Sequence, residues 1–427
     1  MKKNTVIPFP EANISVSDAL TEVLKKGAQT LLKQAIEMEV TEFLAQYSDL
    51  QNAQGHRQVV RNGYLPEREL QTGLGDIPIQ VPRTRDRSGQ GIKFTSSLLP
   101  PYLKRTKSME ELLPWLYLKG LSSGDFQEAL SSLLGPQASG LSASSICRLK
   151  EVWVQDLKAW NKRTLTKKRY VYFWVDGIYL EARLEQKQCM LVIIGADEMG
   201  KKELVALKGG FRESELSWKE LLLDLKARGL EKGPDLSIGD GALGFWKALH
   251  KIYGKSRRQR CWVHKTANVL NKLPKKLQPR AKTMIHEIWG AETKEDANKS
   301  FDKFVTTYED KHPKATDCLI KDRDSLLTFY DFPAAHWHHI RTTNPIESVF
   351  ATVRLRTEKT KGCLSLETGE SMTFKLIESA SQRWMRLRGP QHIADVIRGI
   401  NFKNGVAIVK ENDFVKLKTE DLQKCAA

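Results

Sequence analysis

The sequence predicts an α/β catalytic domain interrupted by an all-helical insertion and preceded by helical and small β elements. Three observations carry that prediction. From residue 170 the chain writes strand-like and amphipathic stretches in the order strand, strand, strand, helix, strand, helix, strand. A tract rich in Lys, Glu and helix formers, 266–330, follows with few β-branched runs. Three acids, Asp176, Asp240 and Glu347, stand at the boundaries of these elements.

In chain order, residues 16–47 begin with Ser17 and Asp18 and place Leu20, Leu24, Leu31, Ala35 and Val40 near helical spacing, so 1–55 is expected to be helical. Asn-Gly, Gly-Asp and prolines punctuate 56–105, where Ile77, Ile79 and Val81 alternate with period two and predict short strands. This β element ends in a basic loop with Arg83, Arg85 and Arg87, which suits a surface hairpin or a DNA contact. Within 106–165, three helical segments are separated by Gly- and Ser-rich turns. A helix-turn-helix fits, its last helix starting near 142–145 with serine caps and with Arg148 and Lys150 facing outward; a plain three-helix bundle fits as well.

The catalytic domain is expected over 166–270 and 336–427, around an insertion at 271–335. Its first three strands are "YVYFWVDGIYLEARL", "CMLVIIGADEMG" and "KKELVALKGG", and 213–230 reads as an amphipathic helix. "PDLSIGDGALGFWKALHKIYG" gives a strand ending at Asp240 and a helix entered through Gly241 and Gly244; "RRQRCWVHK" reads as a further strand. "RTTNPIESVFATVRLRTEKTKG" opens a late helix and ends in a basic loop, and the tail is helical and basic. This is the order of a ribonuclease H-like domain, in which strand one lies beside strand four and the late helix packs against them. A fold alone names no function.

Composition narrows the partners. A chain of 427 residues has room for two or three domains, and a formal charge of +17 points to a polyanion, nucleic acid by default. No apolar run approaches the ~20 residues of a membrane span, so no membrane role is expected. The N-terminus shows no secretory signal, so a cytoplasmic, nucleoid-associated protein is expected. Cys147, Cys189, Cys261, Cys318, Cys363 and Cys425 are scattered without a CxxC pair, which predicts reduced thiols and no disulfide.

Each acid has an ordinary explanation. Asp176 in "VDGIYL" fits a hairpin turn, Asp240 fits a helix cap, and Glu347 completes a capping box with Asn344 at the N-cap and Pro345 at N1. Together they suggest something else, because the strand order would bring all three to one edge of the sheet. Clustered carboxylates repel unless a divalent cation is bound, and hard oxygen ligands select Mg²⁺ or Mn²⁺. Two such ions form a clamp for in-line displacement at phosphorus, which in a basic protein suggests phosphodiester chemistry. Cys261 and His264 form a CxxH pair without the second half-site a structural zinc needs; a core Cys and a hydrogen-bonded His is the alternative. Arg354, two helical turns after Glu347, suits a phosphate oxygen or a solvated face. Lys359 and Lys361 are expected at the DNA backbone, and Arg257, Arg258 and Arg260 of "RRQR" along a DNA channel.

The blocks "VDGIYL", "GDGALGFWKAL", "RCWVHKTANVLNKLP" and "RTTNPIESVFATVRLRT" resemble the signatures of the Mutator-type transposases of bacterial insertion sequences, and "RNGYLPERELQTGLGDIPIQVPRTRD" resembles that family's N-terminal region. The resemblance implies a DDE recombinase on a ribonuclease H-like fold, with catalytic, metal-binding acids at Asp176, Asp240 and Glu347. It also implies a helical insertion between the second and third acids, and places the family's C/D-x-x-H signature on Cys261 and His264 in support of the active site. The expected activity is binding of the element's terminal inverted repeats, nicking by metal-activated water, and joining of the freed 3′-OH to target DNA. Two ends handled together imply a dimer or larger assembly, and the family's route implies a circular intermediate. An endonuclease without strand transfer and a catalytically silent DNA-binding regulator are the alternatives.

Overall fold

Tyr170 to Leu180 is apolar at almost every position, the pattern of a strand covered on both faces. In the computed structural model, which describes residues 19–121, 125–134, 143–180, 188–210, 212–241, 243–359 and 365–408, this strand is the centre of a five-stranded mixed sheet. The chain divides into two compact units, Met1–Leu149 and Lys150–Ala427.

In the first unit, α1 (Ala19–Gln46) lies against two antiparallel pairs, β1 (Val59–Tyr64) with β4 (Pro82–Asp86), and β2 (Arg68–Thr72) with β3 (Gly75–Ile79). Ile77, Ile79 and Val81 turn inward onto Ile36 and Val40 of α1. The buried stripe of α1 runs through Ile36 and Val40, while Leu20, Leu24 and Leu31 are exposed. Arg83 and Arg85 stand on strand β4 rather than in a loop: Pro82 and Thr84 alternate with them toward the interior. Three helices follow, α2 (Lys107–Leu118), α3 (Asp125–Leu134) and α4 (Ala143–Asn161), the last running into the second unit.

In the second unit, β5 (Tyr170–Leu180), β6 (Gln188–Asp197) and β7 (Lys202–Gly210) form an antiparallel meander. Then α5 (Glu215–Ala227), β8 (Leu236–Gly239), α6 (Leu243–Ile252) and β9 (Arg257–Arg260) follow. The sheet order is β7-β6-β5-β8-β9, with β8 parallel to both β5 and β9. Phe173 and Val175 share a core with Trp218 and Leu222 of α5 and Phe245 and Leu249 of α6. On the opposite face, the Tyr172 hydroxyl meets His336 Nδ1 at 2.7 Å and the Trp174 indole donates to the His339 carbonyl at 2.9 Å. Alternation therefore aims Asp176 with Tyr172 and Trp174.

The chain then turns helical as expected, through α7 (Trp262–Leu270), α8 (Gln278–Gly290), α9 (Lys294–Tyr308), α10 (Pro313–Ile320) and the short α11 (Arg323–Leu326). After α12 (Trp337–Ile340), α13 (Asn344–Lys359) and α14 (Leu366–Ser381) pack back onto β5 and β7. The expected strand over "RRQRCWVHK" stops at Arg260, because Cys261 caps α7 and the rest of that stretch is helix. Among the described residues no helix is long and apolar enough to cross a membrane. Cys147, Cys189, Cys261 and Cys318 are free, and Cys363 and Cys425 lie outside the described residues.

Candidate active site

The Asp-Gly of β5 is not a turn. Strand β5 continues through it, with Asp176 opposite Val192 and Gly177 opposite Leu191 on β6. On its other side β5 runs parallel to β8 in a register that pairs Val175 with Gly239, so the next residues, Asp176 within β5 and Asp240 just past the carboxyl end of β8, come side by side. That end of an α/β sheet is where ligand crevices form.

Asp176 is 9% exposed, and its Oδ1 accepts from the Gly177 amide at 2.9 Å. Burial pushes its carboxyl up to about 8; the neighbouring His264 opposes the rise, and Asp240 and Glu347 add to it. Helix α13 brings Glu347 across the face. Its amide donates to the Thr343 carbonyl at 3.0 Å, so the helix starts one residue earlier than a capping box at Asn344 requires, and the Glu347 carboxylate is directed elsewhere. It accepts from His264 Nε2 at 2.9 Å and from Asp176, with Arg354 Nη1 at 3.9 Å. The His264 bond holds Glu347 below the usual carboxylate range.

His264 sits in the first turn of α7. Bonds to Cys261 and to Glu347 raise it to about 11, so it is an imidazolium at neutral pH, with Nδ1 3.4 Å from the Thr343 hydroxyl. Thr343 donates its amide and its hydroxyl to Cys261 Sγ, each at 3.3 Å. The CxxH pair is thus a brace that locks α7 to the start of α13 and holds a cation beside the acids. Ligand atoms of Asp176, His264 and Glu347 all lie within 4.8 Å of one another.

Asp240 lies outside that group of three. Its Oδ1 is 3.8 Å from Arg260 Nη1, and Arg260 Nε is 3.3 Å from Asp322, which also pairs with the buried Lys265. Arg260 is therefore a buried support for the Asp240 loop, a correction to its expected place in a DNA channel; Gln259 and Arg260 turn inward while Arg257 and Arg258 stay exposed. Gly241 makes room for this contact: its φ is +90°, and a Cβ there would sit 1.8 Å from Arg260 Nη1. Gly241→Ala is expected to destabilise the protein by at least about 1–2 kcal/mol from backbone strain alone and to displace Arg260 from Asp240, which urea unfolding would measure.

A fourth acid escaped the sequence reading. Glu213 precedes Ser214, whose hydroxyl caps α5 by accepting from the Ser217 amide at 3.1 Å. Its carboxylate rests where a Cβ at Gly177 would be, 2.0 Å from that point, and it lines a small cavity with Asp176 and Asp240. Burial, with help from Asp240, pushes it up to about 7 against the pull of His264. The one sequence signal was an acid just outside a helix cap; its opposition to Gly177 depends on the fold.

The remaining predicted residues are dispersed. Arg354 is half-exposed beside Glu347. Arg83, Arg85 and Arg87 are exposed in the first unit, Arg148 is exposed on α4 and Lys150 half-buried there. Arg257 pairs with Asp331. The side chain of Lys359, and Lys361 altogether, lie outside the described residues. Asp176 and Glu347 offer hard carboxylate oxygens close together, donors that suit a divalent cation.

The fold and the site define an α/β protein with acids gathered beside the β5–β8 strand pair, and comparison with known proteins makes this chain a transposase. It belongs to the Mutator family of transposases, which it matches over residues 3–386. The transposase of insertion sequence element IS6120 from Mycolicibacterium smegmatis is 49% identical over 306 residues, covering 71% of this chain and 94% of the relative. That of IST2 from Acidithiobacillus ferrooxidans is 48% identical over 287 residues, 66% of this chain and 95% of the relative. The ISRM5 transposase of Rhizobium meliloti is 28% identical over 378 residues, 87% and 90% of the two chains.

Proposed function

We propose that this transposase cuts and rejoins DNA at the ends of an insertion sequence, using Asp176, Asp240 and Glu347 on a ribonuclease H-like fold. The observation that carries the reading is the register of β5 and β8, which sets Asp176 beside Asp240 while α13 delivers Glu347 to the same point. The three acids would hold two Mg²⁺ ions, or Mn²⁺ in their place. Bound there, the ions supply Lewis acidity at the attacking and leaving oxygens of an in-line displacement.

The chain's own groups do the rest. Burial of Asp176 strengthens the charge interactions around it. His264, held cationic between Cys261 and Glu347, keeps Glu347 ionised and oriented as a ligand, and presents a positive charge to a phosphate oxygen. Arg354 extends that positive edge by one further donor group. In the first unit, the exposed Arg83, Arg85 and Arg87, with Arg148 on α4, would contact DNA phosphates over the terminal inverted repeats. Lys150, Arg257, Arg258, Lys359 and Lys361 would add backbone contacts. Two DNA ends require two active sites, so the working form would be a homodimer or larger.

The test is incubation of the full chain and Mg²⁺ with labelled duplex from the flanks of its own gene, scored for 3′-OH nicks and joined strands. Nicking followed by joining is expected. Nicks without joining under Mg²⁺ or Mn²⁺ would make the protein an endonuclease, and binding without nicks a DNA-binding regulator.

A further inference from the structure

The acids of the proposed site are unevenly supplied with countercharge. On one side of Asp176, Glu347 is met by His264 at 2.9 Å and by Arg354 at 3.9 Å. On the other side, Asp176 and Asp240 share a cavity of about 10 Å³ with Glu213. The rest of its wall is Val175, two glycines and the rings of Trp218, Phe245 and Trp246, and among the described residues no Lys, Arg or His lines it. Arg260 reaches Asp240 at 3.8 Å without forming part of that wall.

Contacts with three elements fix Glu213 at this cavity. Its backbone hydrogen-bonds the Tyr179 hydroxyl of β5. Gly244 of α6 comes so close to the following residues that a Cβ there would sit 2.6 Å from the Glu215 amide nitrogen, and Glu215 pairs with Lys251 of α6 at 2.5 Å. Gly177, by lacking a side chain, leaves the space that the Glu213 carboxylate fills. So placed and half-buried, that carboxylate has no hydrogen-bond or ion-pair partner among the described residues. Removing a carboxylate from water is unfavourable unless something pairs with it. The cavity before it has the volume of one water-sized sphere, room enough for one bare cation.

We infer that Glu213 is a fourth acidic ligand, serving the divalent cation between Asp176 and Asp240, while Glu347 serves the ion on the His264 side. The inference rests on the metal-dependent strand-cleavage reading above. A hard divalent cation takes about six oxygen ligands, so Asp176 and Asp240 alone would leave most of its positions to water. A third carboxylate adds charge where the wall offers no cation, and fixes the ion against the end of β8. A water molecule fits the same space, but its two protons bring no charge to three converging carboxylates.

The experiment titrates Mn²⁺ into the full chain, without DNA and at one fixed pH, and reads affinities by calorimetry. Glu213→Gln, a near-isosteric change, is expected to weaken at least about ten-fold the same ion that Asp240→Asn weakens, and to leave the ion that responds to Glu347→Gln unchanged. Glu213→Asp keeps the charge but draws the oxygens back by one methylene, so it should not restore the affinity if Glu213 is a ligand and should restore it if only the nearby charge matters. Gly177→Ala, which pushes an intact Glu213 carboxylate from its place, should weaken the same ion. Mn²⁺ that responds to Glu347→Gln or Asp240→Asn but not to Glu213→Gln, or full rescue by Glu213→Asp, would overturn the fourth ligand alone. A wild type that binds no Mn²⁺ would overturn the metal-site reading and this inference with it.

Discussion

Asp176→Asn is expected to lower nicking and joining on the order of 10³-fold or more, with DNA affinity within about two-fold of the wild type. The substitution is close to isosteric. Asn keeps an oxygen for the Gly177 amide, the 2.9 Å bond that fixes the side chain's direction, and its amide donates to Glu347 as the protonated Asp176 does. What it removes is a charged oxygen ligand at the point where β5 meets β8 and α13. The basic residues proposed for DNA are elsewhere, most of them in the first unit or on exposed strands, so binding should survive. Initial nicking rates and affinities for one labelled duplex would check both halves. Activity within about ten-fold of the wild type would remove Asp176 from the reaction and with it the proposed acid site.

How far these features could be read in advance depended on whether the signal was local. The run of apolar residues around Asp176, the short strand ending at Gly239 and the helix after Pro345 are each visible within about a dozen residues, and their order implied which strands pair. The Asp-Gly at 176–177 was ambiguous because a hairpin and a continuous strand share that dipeptide; the choice is made by Val192 and Leu191 across on β6. Arg260 looked like its neighbours in "RRQR". Only the pairing of β9 with β8 and the arrival of Asp322 after α10 show that it faces inward. Arg83 and Arg85 looked like loop residues because proline and polar residues surround them, yet β1 supplies the partner that makes a strand. Glu213 and Thr343 join the site through contacts with Gly177 and Cys261, residues 36 and 82 positions away, and no local pattern encodes such distances.

The substitution that silences the site should also stabilise the fold. At about pH 8 the metal-free Asp176→Asn protein is expected to melt several degrees above the wild type, and at about pH 4 close to it. Burial pushes the Asp176 carboxyl up to about 8, whereas in the unfolded chain it titrates near the ordinary value of 3.8. Between those values the folded state holds a proton that the unfolded state has released, so stability falls as pH rises through that window. At the upper end the loss is at most about 6 kcal/mol, because crossing each of roughly four pH units forfeits about 1.4 kcal/mol. His264 slopes the same way. Raised to about 11 from 6.5, it contributes stability that is complete below about pH 6.5 and is lost as pH climbs toward 11. Mg²⁺ should act on the wild type in the opposite sense, since a cation among the carboxylates removes the repulsion that Asn already lacks. Thermal melts of EDTA-treated wild type and variant, with and without Mg²⁺, would separate these contributions. A variant that melts at or below the wild type at about pH 8 would show that the Asp176 charge does not weaken the fold. A higher melting temperature, lost activity and no response to Mg²⁺ in one variant would identify Asp176 as a carboxylate held in place for chemistry at the expense of folding.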